Sequence, residues 1–173
     1  MALEGRVGAD AAAEVRFRAV YDRALPVVYG FLVVRTGGDR ALAEDLTGET
    51  FAAAAAAFRD GRADQVTEAW LRTVAKRRLI DHWRHETVAR RRVVELADRR
   101  IVEPPDVAEQ HAVVDALGQL SEDQRRALVL RHMDGHSVSE VAELLGRTIK
   151  ATESLLSRAR VAFRGAYEEV EVR

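Results

Sequence analysis

The stretch from Ser137 to Arg160 restricts the possible folds more than any other part of this chain, because it reads as two short helices around a glycine. Ser137, with Glu140 three residues later, forms a capping box that starts a helix. Val138, Val141, Ala142 and Leu145 recur at helical spacing and give that helix one apolar face. Gly146 is able to take the left-handed backbone conformation that ends it. Thr148 then caps a second helix, with Ile149, Leu155, Leu156 and Ala159 expected to face inward. Ala142 is small enough for the two helices to approach closely, and the pattern predicts a helix-turn-helix. The second helix is basic at Lys150, Arg158 and Arg160. Such a helix fits the major groove of DNA while its neighbour braces the backbone.

The remaining sequence predicts an all-α chain of two small helical domains joined by a flexible linker, the C-terminal one carrying the helix-turn-helix. Its 173 residues suffice for one domain or two small ones, and 47% are hydrophobic, ample for a core. There is no cysteine, which excludes disulfides and thiolate metal sites. No apolar run approaches the roughly 20 residues that span a bilayer, so no membrane insertion is expected. Met1 to Ala13 lacks the basic-then-apolar order of a secretory signal, and a cytoplasmic location is expected. His82 with His85 and His132 with His136 are weak metal candidates, because no carboxylate cluster completes a site. No serine elbow and no glycine-rich phosphate loop occurs. Neither an enzymatic activity, a cofactor nor a small-molecule substrate is expected.

The net charge of -1 conceals segregation. From Trp70 to Arg92 there are eight basic residues against two acidic, Asp81 and Glu86. From Val93 to Asp123 eight acidic residues face two basic, and from Gln124 to Arg164 eight basic face four acidic. Single charge runs usually do no more than solvate a helix face. Two cationic patches around an acidic tether suit a chain that touches a polyanion at two places.

Along the chain, residues 1–13 read as a disordered tail and 14–92 as an N-terminal helical domain. Residues 93–106 form an acidic linker in which Pro104 and Pro105 forbid helix, and 107–170 form the helix-turn-helix domain. The first helix is expected from about Glu14 to Arg35, kinked or broken near Pro26 and ended by Gly37 and Gly38. Asp39 caps a second helix reaching about Phe58, whose alanine run suits close helix packing. Arg59 to Arg62 is a loop, and a third helix begins near Asp64 or Thr67. Ser121 and Gln124 form a second capping box.

Read in order, these segments resemble the sigma-70 family of bacterial transcription initiation factors, and most closely its extracytoplasmic-function (ECF) group. Asp39 to Phe51 is similar to the family's core-polymerase docking helix. Ala69-Trp70-Leu71 with Val74-Ala75 and Ile80-Asp81-His82 is similar to its -10 promoter helix. Leu117 to Gly135 resembles the lead-in to its -35 domain, and Ser137 to Arg160 the -35 reader. The resemblance implies core RNA polymerase and promoter DNA as partners, with an anti-sigma factor as a further one. It also implies a linker that threads toward the polymerase active-site and RNA-exit region.

The same resemblance assigns residues. Asp45, Glu49 and Phe51 would bind core polymerase. Arg59, Arg62 and Asp64, in the loop that cradles a flipped base, would act with Lys76, Arg77, Arg78, Asp81, Trp83 and Arg84 on the -10 element. Strand capture needs cations for phosphates and flat apolar surfaces for unstacked bases. Trp83 serves equally well as such a surface or as core. Ser137, Arg147, Thr148, Lys150, Ala151, Thr152, Glu153, Ser154, Arg158 and Arg160 would contact the -35 duplex. Among these, Glu153 suits a cytosine amine, Thr152 a thymine methyl, and Arg147, Arg158 and Arg160 phosphates.

Several slots depart from the family pattern. Arg77 and Arg78 stand where asparagine and an apolar residue are usual, Gly48 where a polar residue is common, and Glu153 and Leu155 where basic residues are common. A rival reading is a helix-turn-helix regulator resembling two-component response regulators, binding a palindrome as a dimer. It leaves the Asp45-to-Phe51 segment and the basic third helix unexplained.

Overall fold

The computed structural model describes residues 2–90 and 108–171, and among them it contains seven α-helices and no strand. The helices are α1 (Ala2–Thr36), α2 (Arg40–Arg59), α3 (Glu68–Arg90), α4 (Ala108–Gln119), α5 (Glu122–Leu128), α6 (Val138–Leu144) and α7 (Ile149–Glu171). A 3₁₀ turn, Ala63–Gln65, precedes α3, and a π-helical stretch, Val129–Met133, prolongs α5. The expected acidic linker, 93–106, lies outside the described residues.

One expected boundary is corrected, and of the two outcomes open at Pro26 the break does not occur. The N-terminal tail is helical from Ala2 onward, in keeping with the helix propensity of its alanines. Pro26 does not break α1, which continues to Thr36. A proline inside a helix costs about 3 kcal/mol or more. Burial of Ala24, Val28, Leu32 and Val33 along the same helix offsets that loss. Gly37 (φ 65°) and Gly38 (φ 83°) then end α1, and the Asp39 carboxylate accepts from the Leu42 N–H at 3.1 Å to start α2.

The chain packs as two units, one of Met1–Leu32 with Glu44–Leu79 and the other of Val33–Ala43 with Ile80–Arg173. In the first, aromatic rings join α1 to α2. Phe17 meets Phe58 edge-on with centroids 5.4 Å apart, and Tyr21 meets Phe51 edge-on at 4.7 Å. Leu46, Ala54 and Ala57 of α2 and Leu71, Ala75 and Leu79 of α3 are buried with them. Of the six consecutive alanines, Ala54 and Ala57 are buried three residues apart and Ala52 is exposed, so the run lays one face on the core. Gly61 (φ 74°) closes the loop after α2, where Arg62 pairs with Asp60 at 2.6 Å.

In the second unit α7 packs on α4, α5 and α6. Its buried face is Leu155, Leu156, Ala159 and Ala166, set among Leu117, Leu128, Leu130 and Val141. Both capping boxes form. The Ser121 N–H donates to Gln124 at 3.1 Å, the Ser137 N–H donates to Glu140 at 2.7 Å, and the Glu140 N–H donates back to Ser137 Oγ at 3.3 Å. Gly146 takes φ 61° between α6 and α7, and Thr148 Oγ1 accepts from the Ala151 N–H at 3.2 Å.

Gly48 lies exposed in the middle of α2, where a methyl group would meet nothing within 4 Å. Glycine in a helix interior costs about 1 kcal/mol relative to alanine. Gly48→Ala is therefore expected to stabilise the fold by about 0.5–1 kcal/mol in chemical denaturation. A loss of stability there would contradict the placement.

Candidate nucleic-acid interface

Burial of Leu155, Leu156 and Ala159 sets the rotation of α7, so the side chains between them point to solvent. Thr148, Lys150, Glu153, Ser154, Arg158 and Arg160 are exposed, and Ala151 is half-buried. Ser154 Oγ donates to the Lys150 carbonyl at 3.1 Å, and Arg158 Nε donates to the Ser154 carbonyl at 3.3 Å. Arg158 therefore lies along its own helix and leaves part of its guanidinium for an outside acceptor. Ser137 stands at the N-terminus of α6, where its hydroxyl and N–H are both engaged by Glu140. Those two hydrogen bonds hold the Glu140 carboxyl below its ordinary 4.5.

Three expected contacts are corrected by burial. Thr152 is 0% exposed, and its hydroxyl donates to the Thr148 carbonyl at 3.0 Å, so it offers nothing to a thymine methyl. Phe51 is 4% exposed with its ring against Tyr21, so it mainly joins α2 to α1 and meets the surface only as lining of the groove between them. Trp83 is 4% exposed and lies beneath the Arg126 guanidinium, 5.8 Å from the ring centroid; its role here is core. Arg147 is reachable, but it pairs with Asp123 of α5.

The pattern also misled at three other positions. Ile149 was expected inward and is instead 53% exposed, in the first turn of α7 beside Lys150. Periodicity alone pointed it inward, since Ile149 stands seven residues before Leu156 and in register with the buried face, but it is the first residue of the helix. Arg125 and Arg126 count toward the basic C-terminal stretch, yet both are buried. Arg126 is held by Glu122 and Glu86, and Arg125 donates to the Leu117 carbonyl at 3.4 Å. The outward charge of this stretch is therefore smaller than its composition suggests.

On α3, Arg77 and Arg78 are exposed and Lys76 is half-buried; farther along, Asp81 and Arg84 are exposed and pair at 3.7 Å. In the loop before α3, Arg59, Arg62 and Asp64 are exposed, and Asp64 is tied to Arg16 of α1 at 2.7 Å. On α2, Asp45 and Glu49 stand four residues apart on the exposed face, and Glu49 pairs with Arg78 of α3. Beside them Tyr21, Leu25, Pro26, Tyr29 and Phe51 line a mostly apolar groove between α1 and α2. No group of three or more metal-ligating side chains occurs among the described residues, and none of their helices is long and apolar enough to cross a membrane.

Against known proteins, residues 20–89 match the family model described as Sigma-70 region 2, and residues 110–163 match Sigma-70, region 4. The chain is 31% identical over 159 residues to ECF RNA polymerase sigma factor SigK of Mycobacterium sp. (strain KMS), covering 86% of this chain and 80% of that one. It is 33% identical to ECF RNA polymerase sigma factor BldN of Streptomyces coelicolor over 83% of this chain, but spans only 57% of that protein. Among solved structures, it is similar to the sigma factor RpoE from Bartonella quintana in complex with the anti-sigma factor NepR. That match has 25% identity, covers 88% of this chain and 96% of the other, and has a TM-score of 0.46. The response-regulator reading gains no support, since residues 20–89, which it left unexplained, match the sigma family.

His132 sits at the edge of a second apolar groove of about 430 Å³, with Leu117, Leu128 and Phe163 among its lining and Arg160 and Arg164 around it. Burial first, then the charges of Arg160 and Arg131, hold its imidazole below the ordinary 6.5. The unfolded chain therefore takes up this proton before the folded one, and acidification from 6.5 down through the folded value removes stability. In an NMR titration His132 is expected below 6.5, and Arg160→Ala is expected to raise it. An unmoved value in the variant would contradict the charge assignment.

Proposed function

The chain belongs to the extracytoplasmic-function group of the sigma-70 family, and on that premise we propose how its residues divide the work of a sigma factor directing transcription. It brings no catalytic step of its own and works in the cytoplasm beside the polymerase. Residues 14–92 dock on core polymerase and hold the opened -10 strand, 93–106 act as the tether, and 107–170 read the -35 duplex.

The carrying observation is the outward face of α7, mixed at its N-terminal end, where Ile149, Lys150, Glu153 and Ser154 are exposed, cationic farther along at Arg158 and Arg160, and anchored from behind by buried leucines. Side chains at this end of a recognition helix reach base edges. Glu153 accepts from a cytosine amine. Ile149, one turn before it, takes the thymine methyl that Thr152 is too buried to meet. Arg158 and Arg160 contact phosphate. Asp45 and Glu49 meet a basic surface of the polymerase, and the α1–α2 groove beside them accepts apolar side chains of the same partner. Arg59, Arg62 and Asp64 hold an extruded base, while Lys76, Arg77, Arg78, Asp81 and Arg84 follow the strand. An anti-sigma protein is a further partner. The groove beside His132, apolar inside and cationic outside, suits an amphipathic helix with acidic flanks.

The test is reconstitution. The purified chain mixed with core polymerase should co-elute with it and support a promoter-dependent transcript. Failure of both, with tight binding of a palindrome by the chain alone, would overturn the reading. Asp45→Ala combined with Glu49→Ala should weaken polymerase binding and leave the circular-dichroism spectrum unchanged. Arg158→Ala should weaken -35 duplex binding about equally for all sequences, because a phosphate contact carries no sequence information. Replacing thymine by uracil in the -35 element removes only the methyl group. Wild-type binding should fall at one position, and Ile149→Ala should be indifferent there.

A further inference from the structure

The residues assigned to the two partners of the N-terminal module meet each other. Glu49 Oε2 of α2 lies 3.6 Å from Arg78 Nε of α3. Both side chains remain about half exposed, at 54% and 46%, so each is open to an outside partner. The separation exceeds a good charge-assisted hydrogen bond, which marks a loose and exchangeable pair. Asp45, one turn earlier on α2, is exposed and has no such partner among the described residues. Arg78 is also a departure from the usual family pattern, so this contact is a property of the chain's own sequence.

We infer that the Glu49–Arg78 pair couples polymerase docking to strand capture, an inference that rests on the assignment of Glu49 to docking. In the free chain the carboxylate occupies the guanidinium and lowers its attraction for phosphate. A basic polymerase surface that takes Glu49 releases Arg78 toward the DNA strand. By linkage the effect is reciprocal, so a strand that takes Arg78 releases Glu49 for docking. An exposed pair of this kind shifts an equilibrium by at most about fivefold, and the effect fades with added salt. It tunes the order of assembly and does not block either partner.

A double-mutant cycle on the full chain tests this. The variants are Glu49→Gln, Arg78→Gln and the two together, with Asp45→Asn as a control that removes the same charge from an unpaired site. The probes are a short fluorescent single-stranded deoxyoligonucleotide and purified core RNA polymerase. Glu49→Gln should tighten oligonucleotide binding by the free chain up to about fivefold, and this gain should vanish in the Arg78→Gln background. Asp45→Asn should give no comparable gain. Arg78→Gln should tighten core binding up to about fivefold, because Glu49 no longer has a partner to leave. An equal gain from Glu49→Gln in both backgrounds would overturn the coupling. A Glu49→Gln variant that binds core polymerase as well as wild type would overturn the docking assignment itself.

Discussion

Burial of one face of α7 is the interaction on which the DNA-reading half depends. Each fully buried leucine contributes about 1.5–3 kcal/mol relative to exposure. Leu155 and Leu156 are both buried, against elements drawn from α4, α5 and α6. Turning α7 by a quarter turn either way would expose one of them and bury Glu153 or Arg158 without partners, which costs several kcal/mol for a charge. The helix therefore has one favourable rotation, and that rotation chooses which side chains reach a groove. The capping interactions at Ser137 and Thr148 and the left-handed Gly146 set where the two helices begin and end. Under the proposed reading, specificity in this module follows from core packing.

Helix ends and the turn were legible because they depend on local chemistry. Asp39, Ser121, Ser137 and Thr148 cap where their side chains predict, and the glycines after α1 and α6 take positive φ. Partner choice across the fold was not legible in the same way. Thr152 carries a side chain suited to a thymine methyl, but its hydroxyl turns to its own helix backbone. Arg125 and Arg126 look like surface cations until α5 is folded, when a carbonyl and two carboxylates receive them. Trp83 left core and stacking equally open from sequence, and only the packing around Arg126 decides between them. Pro26 shows the converse case, where a strong local signal yields to the apolar face on either side of it.

The charge pattern gains a different meaning in three dimensions. Many exposed cations already have an anionic neighbour: Arg16 with Asp64, Arg62 with Asp60, Arg84 with Asp81, and Arg147 with Asp123. Such surface pairs contribute little to stability, about 0–1 kcal/mol each. They are easily exchanged for phosphate, so the chain need not carry a large net positive charge to hold DNA at two places. Its near-neutral balance is consistent with a protein that finds promoters through a larger enzyme and has little need for strong binding on its own.

Promoter selection is most directly tested by mapping transcription start sites in cells overproducing the chain. A sigma factor of this kind should yield new start sites that share two upstream sequence elements, one near position -10 and one near -35. A map indistinguishable from that of control cells, with the chain soluble and bound to polymerase, would contradict it.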